Sequence, residues 1–341
     1  MLQACPEQAC PDVMLSRVRS CSAPKPGLWL GVVNPRGLVQ TVSLTVLLAS
    51  VPSSAFAQVF KATVDLVNFG VTVVDKKGNL VTDLGLDDFE IVEDGGQQTA
   101  TFLARGDDEA TAPSLHLGLL LDTSGSMEED IKFARSASVK FLNALQEAVD
   151  ITLVDFDTEV RVARYGQNDF ARLVERIRHR KPDGWTALYD AVGVYLDGAG
   201  AQTGRKVLVL YTDGGDTTST MNFADMMTLL KASDVTVYAI GLIEHQLAST
   251  RSDSLLRLQQ IAEATGGQAF FPSSMPELES IYDRIAEELH AQYSLGYSST
   301  NQRADGEWRR VAIRVKRANL QGAKVRTRKG YFAPYKETES R

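Results

Sequence analysis

The sequence predicts an α/β fold: a mostly parallel central sheet flanked by helices, joined to a small β-sandwich built from N- and C-terminal strands. Three observations carry this reading. From residue 114 to about 291, short apolar runs alternate with segments of helical spacing, which is the pattern of parallel strands covered by helices on both faces. Strand-like runs without that spacing lie on either side, over 58–106 and 292–335. Each side offers too few strands for a stable sheet of its own, so the two sets are expected to pair with each other.

Taken in order, residues 1–57 read as an N-terminal extension and signal peptide. The stretch 38–51 is apolar and uncharged, Arg36 precedes it, and Ala55-Phe56-Ala57 follows. A charged n-region, a short h-region and an A-x-A site in that order predict cleavage after Ala57, leaving Gln58 first. An uncleaved anchor is the competing reading, but the run is shorter than the ~20 residues of a spanning helix. No later segment is long and apolar enough to span a membrane. The expected location is therefore secreted or periplasmic. Residues 1–35 are long for a leader and hold all three cysteines, Cys5, Cys10 and Cys21; a start codon assigned too early accounts for both. With no cysteine beyond them, a disulfide scaffold and a Cys-ligated metal core are excluded.

The segment 58–106 reads as strands. Phe60, Thr63, Val64, Leu66, Val67 and Val71 to Val74 are β-rich, and Asp75 to Asn79 is a turn signal. Two further strands are expected at 89–92 and 98–103, around the tight-turn composition Glu93-Asp94-Gly95-Gly96. Residues 105–113 read as a linker. The α/β unit, 114–291, then gives strands at 115–121, 151–156, 206–211, 235–240 and 268–271. Its helices are expected at 131–145, 170–177, 187–196, 223–230, 255–264 and 278–289. In 292–335 three strands are expected, at 293–297, 308–315 and 324–332. In the second of these Val311, Ile313 and Val315 alternate with Ala312, Arg314 and Lys316, so one face is buried. The composition, 44% hydrophobic and 23% charged, is that of a folded globular chain, and the net charge of −7 argues against binding nucleic acid over the whole surface.

Three short motifs share one address. Asp122-Thr123-Ser124-Gly125-Ser126 directly follows the strand 115–121, Asp183-Gly184-Trp185-Thr186 precedes a helix, and Tyr211-Thr212-Asp213-Gly214-Gly215 closes the strand 206–211. In an open parallel sheet, ligands bind outside the carboxyl ends of the strands. Alternation in D-x-S-x-S lets all three side chains point to the same side. Asp122, Ser124, Ser126, Thr186 and Asp213 supply two carboxylates and three hydroxyls. Hard oxygen donors in small number suit Mg²⁺ or Mn²⁺ rather than zinc, with Ca²⁺ as a further alternative. Such a set leaves coordination positions open, one of which could accept a carboxylate from a partner protein. Singly, Ser124 and Ser126 also read as helix N-caps ahead of Glu128 and Glu129, and Asp213-Gly214 as a turn.

With these residues on the page, the segment 114–291 resembles a von Willebrand factor type A (VWA) domain, Rossmann-like in architecture, with a complete metal-ion-dependent adhesion site. The matching stretches are L-L-L-D-T-S-G-S-M, G-W-T-A-L-Y-D-A and Y-T-D-G-G-D. The flanks L-V-T-D-L-G-L-D-D-F-E-I-V-E-D-G at 80–95 and Q-Y-S-L-G-Y at 292–297 are similar to a bacterial group of secreted type A-related proteins. The resemblance implies Mg²⁺ bound directly by Ser124, Ser126 and Thr186, with Asp122 and Asp213 acting through water. It also implies a partner Asp or Glu completing the octahedron, and a last helix, about 275–290, whose sliding is coupled to binding.

Other residues have plainer readings. Asp183 and Asp216 read as solvated loop charges, with a supporting role at the site as the alternative. Asp155 reads as an exposed strand end, again with a supporting role as the alternative, and Asp190 as a helix-surface residue. His116, His179, His245 and His290 lack metal-ligand spacing. Trp185 is either exposed at the rim of the site, where an aromatic could anchor a partner, or packed in its loop. Ten basic residues between Arg303 and Lys329 are opposed only by Asp305 and Glu307; they read as a solvated strand face, with an anionic partner as the alternative. The chain lacks a G-x-G-x-x-G after a strand, a phosphate-loop lysine motif and a G-x-S-x-G elbow, so it is expected to be a binding protein rather than an enzyme. A cell-envelope structural or assembly factor is the second functional class.

Overall fold

The centre of the fold is Leu115–Asp122 (β5), whose sequence LHLGLLLD is apolar on both sides. In the computed structural model, which describes residues 66–335 apart from 109, 146 and 180, it lies inside a six-stranded sheet. Ala148–Phe156 (β6) and Arg205–Thr212 (β8) flank it in parallel. Val235–Gly241 (β9) and Gln268–Phe270 (β10) continue the parallel run on one side. Val160–Gly166 (β7) closes the other side antiparallel to β6. The predicted cleavage site and leader lie outside the described residues.

Helices cover both faces because the strands are apolar on both. Ile131–Ala144 (α1), Phe170–His179 (α2) and Met275–Ala291 (α6) pack on one side, where Leu117, Leu119, Leu121, Val209 and Tyr211 meet Phe141, Leu173 and Ile285. Leu188–Gly200 (α3), Phe223–Ala232 (α4) and Ala248–Ala264 (α5) pack on the other, against Leu120, Leu208, Leu210 and Val237. Gly118 is required in β5: a Cβ there would lie 2.2 Å from the Tyr195 ring of α3.

Two four-stranded antiparallel sheets form the sandwich. Leu66–Val74 (β1) pairs with Tyr293–Ser298 (β11) and Lys324–Arg326 (β13), and β11 pairs with Ala100–Arg105 (β4). Phe89–Glu93 (β2) pairs with Gly96–Gln98 (β3) and Trp308–Val315 (β12), and β12 pairs with Gly330–Phe332 (β14). Both four-stranded sheets thus mix strands from before and after the α/β unit. Phe69, Val71, Ile91, Leu295, Tyr297 and Ile313 fill the space between the sheets. Glu93, 3% exposed, is the polar centre of that core. It accepts hydrogen bonds from the hydroxyls of Tyr297 (2.6 Å), Ser299 (2.6 Å) and Tyr331 (3.0 Å).

Several elements differ from expectation. The run read as one strand at 98–103 is two, β3 and β4, which belong to opposite sheets; the run 324–332 likewise divides into β13 and β14. A continuous β-rich sequence hides a corner, since the bend leaves the run of strand-forming residues unbroken. Strand β7 was not expected: its alternation V-R-V-A-R-Y leaves both faces half exposed. Helix α5 begins at Ala248 rather than 255.

The ten basic residues between Arg303 and Lys329 do not form one solvated face. Arg309 is buried against Asp305, Arg317 pairs with Asp83 and Asp88, and Arg326 pairs with Glu288 of α6. Arg328 donates to the carbonyls of Ser233 and Asn68 and lies over the Phe69 ring. Most of these guanidiniums thus tie the sandwich to itself or to the α/β unit.

Candidate metal centre

The three motifs stand where the carboxyl ends of β5 and β8 leave the sheet, and hydrogen bonds close the loops around them into a ring. Gly125 N–H donates to the Gly184 carbonyl (3.1 Å), and Asp183 N–H to the Thr123 carbonyl (3.0 Å). Thr186 N–H donates to the Thr217 hydroxyl (2.9 Å), and Thr217 N–H returns to the Thr186 carbonyl (2.9 Å). Gln246 Nε2 donates to the Asp213 carbonyl (2.8 Å), and Leu242 N–H to that of Thr212 (3.0 Å). His245 then reaches Glu129 (3.3 Å) and Asp130 (3.6 Å), returning to the first loop. Segments 122–130, 183–187, 212–217 and 242–247 therefore form a closed circuit.

Asp122 is the floor of this ring, fully buried. Its Oδ1 accepts from the Ser124 hydroxyl (2.6 Å) and backbone N–H (3.0 Å), and its Oδ2 from the Thr212 hydroxyl (2.6 Å). The Ser124 and Ser126 hydroxyls are 3.1 Å apart, with Ser124 buried and Ser126 exposed. Asp213 and Thr186 are both buried; Asp213 Oδ1 accepts the Gly215 N–H (2.9 Å). The structure thus joins Asp122, Ser124 and Ser126 directly. Asp213 follows Thr212, which is bonded to Asp122, and Thr186 sits in the loop stitched to Gly125.

Neither serine uses its hydroxyl as a helix cap: Ser124 precedes a single 3-10 turn, Gly125–Met127, without a side-chain cap bond, and α1 starts only at Ile131. The geometry instead directs those oxygens to Asp122 and to each other. Glycine at 184 and 214 is a backbone requirement, with φ of 75° and 82°. A side chain at 184 would also press on Thr158, whose hydroxyl accepts the Trp185 N–H (2.9 Å).

Burial pushes the Asp122 carboxyl up to about 7, opposed by the Ser124 and Thr212 hydroxyls and assisted by the nearby negative charge of Asp213. Among the described residues no Lys, Arg or His forms an ion pair with Asp122 or Asp213. Nor do three Asp, Glu, His or Cys side chains gather into a metal-ligand cluster. Two carboxylates less than a tenth exposed, beside three hydroxyls and without a cationic partner, fit a hard divalent cation: it would supply the missing counter-charge.

Sequence reasoning missed Thr212. It ends an apolar strand and reads as core, but the β5–β8 register sets its hydroxyl against Asp122. Its one signal is a hydroxyl residue immediately before the strand-end aspartate. Asp155 is corrected: it is 1% exposed, not an exposed strand end, and is neutralised by Arg161 (2.7 Å) and Arg176 (2.6 Å). Asp190 is more than a surface residue, because its carboxylate accepts the N–H groups of Thr220 (2.8 Å) and Met221 (2.9 Å). Asp216 accepts the Tyr189 N–H at the start of α3 and the Ser219 hydroxyl. Asp183 is exposed, and Trp185 is 68% exposed at the rim.

Residues 116–284 match the model of the von Willebrand factor type A domain family. Among solved structures, a variant of the PilB minor pilin from Streptococcus sanguinis aligns with a TM-score of 0.44 and 16% identity, over 54% of this chain and 63% of that one. The chain thus spans less than two thirds of that pilin. The vWF domain of a type V pili tip protein from Porphyromonas gingivalis aligns at 0.44 and 14%, over 52% and 95%. A von Willebrand factor type A protein from Catenulispora acidiphila aligns at 0.45 and 15%, over 82% and 76%. No curated protein matches.

Proposed function

Because the chain contains a von Willebrand factor type A domain, we propose that it is a metal-dependent protein-binding module. In this reading Asp122, Ser124, Ser126, Thr186 and Asp213 would hold Mg²⁺, with Mn²⁺ or Ca²⁺ as substitutes. The ion supplies a Lewis-acidic point on the surface that an Asp or Glu side chain of a partner protein can ligate. The chain's own residues do the rest. Thr212 and Ser124 orient the Asp122 carboxylate, the 3-10 turn at Gly125 presents Ser126 to solvent, and the Thr217 contacts fix Thr186. The observation that supports this most is the pair of buried carboxylates, Asp122 and Asp213, with no cationic side chain paired to them among the described residues. The leader-like segment ending at Ala57 supports action outside the cytoplasm, secreted or periplasmic. No helix among the described residues is long and apolar enough to cross a membrane.

Calorimetric titration of the purified chain with MgCl₂, repeated on Asp122→Ala, tests the reading. Uptake of one ion by the wild type and none by the variant supports it; no uptake by either overturns it. Capture of a defined envelope protein in Mg²⁺ but not in EDTA would extend the result to the partner.

A second reading, an envelope assembly scaffold, is favoured by the join between the two units. Arg205 of β8 donates to the Gly106 carbonyl (3.4 Å) just after β4, and Glu288 of α6 pairs with Arg326 of β13. Capture indifferent to metal would favour it.

A further inference from the structure

A cavity of about 630 Å³ opens where β1, the β11–β12 connection and β14 face the turn between α4 and β9. It lies toward the amino end of the central sheet, away from the candidate metal centre, and shares no residue with it. Its size is that of a small-molecule site, and the junction of two units is a common place for one.

The charges around it do not balance. Arg309, Arg317 and Arg326 of the sandwich each meet a carboxylate. Arg303 and Arg328 meet none among the described residues, and both line this cavity. The one acid in its lining, Asp234, is already held by Lys206 through both oxygens (2.8 and 2.9 Å). Arg328 donates to the carbonyls of Ser233 (3.1 Å) and Asn68 (2.7 Å) and stands 4.7 Å over the Phe69 ring. Those contacts fix its planar fork and use two of its five N–H groups, leaving three. Burial pushes the Arg328 guanidinium below its usual pKa, as it does for a cation short of counter-charge. Arg303 is exposed at the rim. Its N–H donates to Asn301 Oδ1 (3.3 Å) and its carbonyl accepts from Arg309 (3.4 Å), so the backbone is held while the guanidinium has no acid.

The remaining lining combines a ring with neutral polar groups. Phe332, 40% exposed, is braced edge-on by Trp308 with ring centroids 5.0 Å apart. The amides of Asn68 and Gln302 and the hydroxyl of Ser298 belong to the same walls. An exposed ring suits the apolar C–H face of a sugar, amides and hydroxyls pair with sugar hydroxyls, and guanidinium forks match carboxylate or phosphate oxygens. We propose that this cavity binds an acidic saccharide, a sugar unit bearing a carboxylate or a phosphate. Arg328 and Arg303 take the acid group and Phe332 takes the ring. The site is separate from the candidate metal centre and needs no metal.

Calorimetric titration of the full chain in EDTA with glucuronate, glucose 6-phosphate, glucose and inorganic phosphate tests the proposal. One of the two acidic sugars is expected to bind at least about tenfold tighter than glucose and than inorganic phosphate. Preference for glucuronate assigns the acid group as a carboxylate, and preference for glucose 6-phosphate assigns it as a phosphate. Arg303→Gln is expected to weaken the preferred sugar about tenfold, and Phe332→Ala about fivefold. Both side chains are exposed, so both variants are expected to unfold at the wild-type temperature. No binding of either acidic sugar, binding of glucose or inorganic phosphate as tight as theirs, or affinities that Arg303→Gln leaves unchanged overturns the inference. So does binding that appears only when Mg²⁺ replaces EDTA, which would place the ligand at the metal centre instead.

Discussion

The two ends of the central sheet treat buried charge in opposite ways. At the amino end, His116 Nδ1 lies 3.1 Å from the Asp150 carboxylate and Nε2 lies 3.0 Å from the Thr203 carbonyl. Beside them Lys206, 8% exposed, meets Asp234 at 2.8 Å. At the carboxyl end, Asp122 and Asp213 have, among the described residues, hydroxyl and backbone partners only. Asp155 sharpens the contrast. It lies on the strand beside Asp122, is as buried, and has two arginines. Among the described residues Glu93 is also a buried acid without a basic partner, but it stands alone and is held by three hydroxyls in the sandwich core. The strand ends differ in placing two such acids, Asp122 and Asp213, on adjoining loops. Two uncompensated buried carboxylates side by side are expensive, and that pairing is what supports the proposed cation site.

The largest effect should come from removing what supports the amino end. Deleting residues 293–341 takes β11 to β14 away, and residues 66–105 are then expected to lose amide protection in hydrogen exchange. Retained protection there would break the account of a shared sandwich. Next, Arg176→Met removes one of the arginines that meet Asp155 and is expected to cost about 3–5 kcal/mol in urea denaturation; a loss under 1 kcal/mol would erase the distinction between Asp155 and Asp122.

The third prediction concerns pH. The Asp122 carboxyl is pushed up to about 7 by burial, so the folded chain holds that proton more tightly than the unfolded one. Its contribution to stability in EDTA is full below about pH 4 and is lost as pH rises through about 7, on the order of 4 kcal/mol. Asp122→Asn should therefore gain on the wild type across that interval, as read from paired urea curves at pH 5 and pH 8. The smallest effect is a gain on adding metal: about 2.7 kcal/mol with free Mg²⁺ at a hundred times Kd, seen as a higher Tm that EDTA reverses and that Ser126→Ala reduces.

The order of strands and helices was legible because burial on two faces leaves long apolar runs such as LHLGLLLD. The candidate residues were legible because Asp122, Thr186 and Asp213 stand at strand or helix ends marked by glycine. What the sequence hid depended on register. Thr212 acquires its role only when β8 lies beside β5, and Asp155 only when β7 and α2 bring Arg161 and Arg176 to it. The corners between β3 and β4 and between β13 and β14 were hidden because a bend between sheets leaves the β-rich pattern unbroken. Half-exposed β7 carried too weak an alternation to be seen.

The mixing of early and late strands within each sheet has a consequence for biogenesis. Strands β1 to β4 leave the ribosome about 190 residues before β11 does, a wait of roughly 10–40 s at 5–20 residues per second. Through that interval they have bare edges and no sheet to join, while the six-stranded unit can complete itself. Strands β11 to β14, translated after the six-stranded unit, are then the ones that give the first strands their sheets.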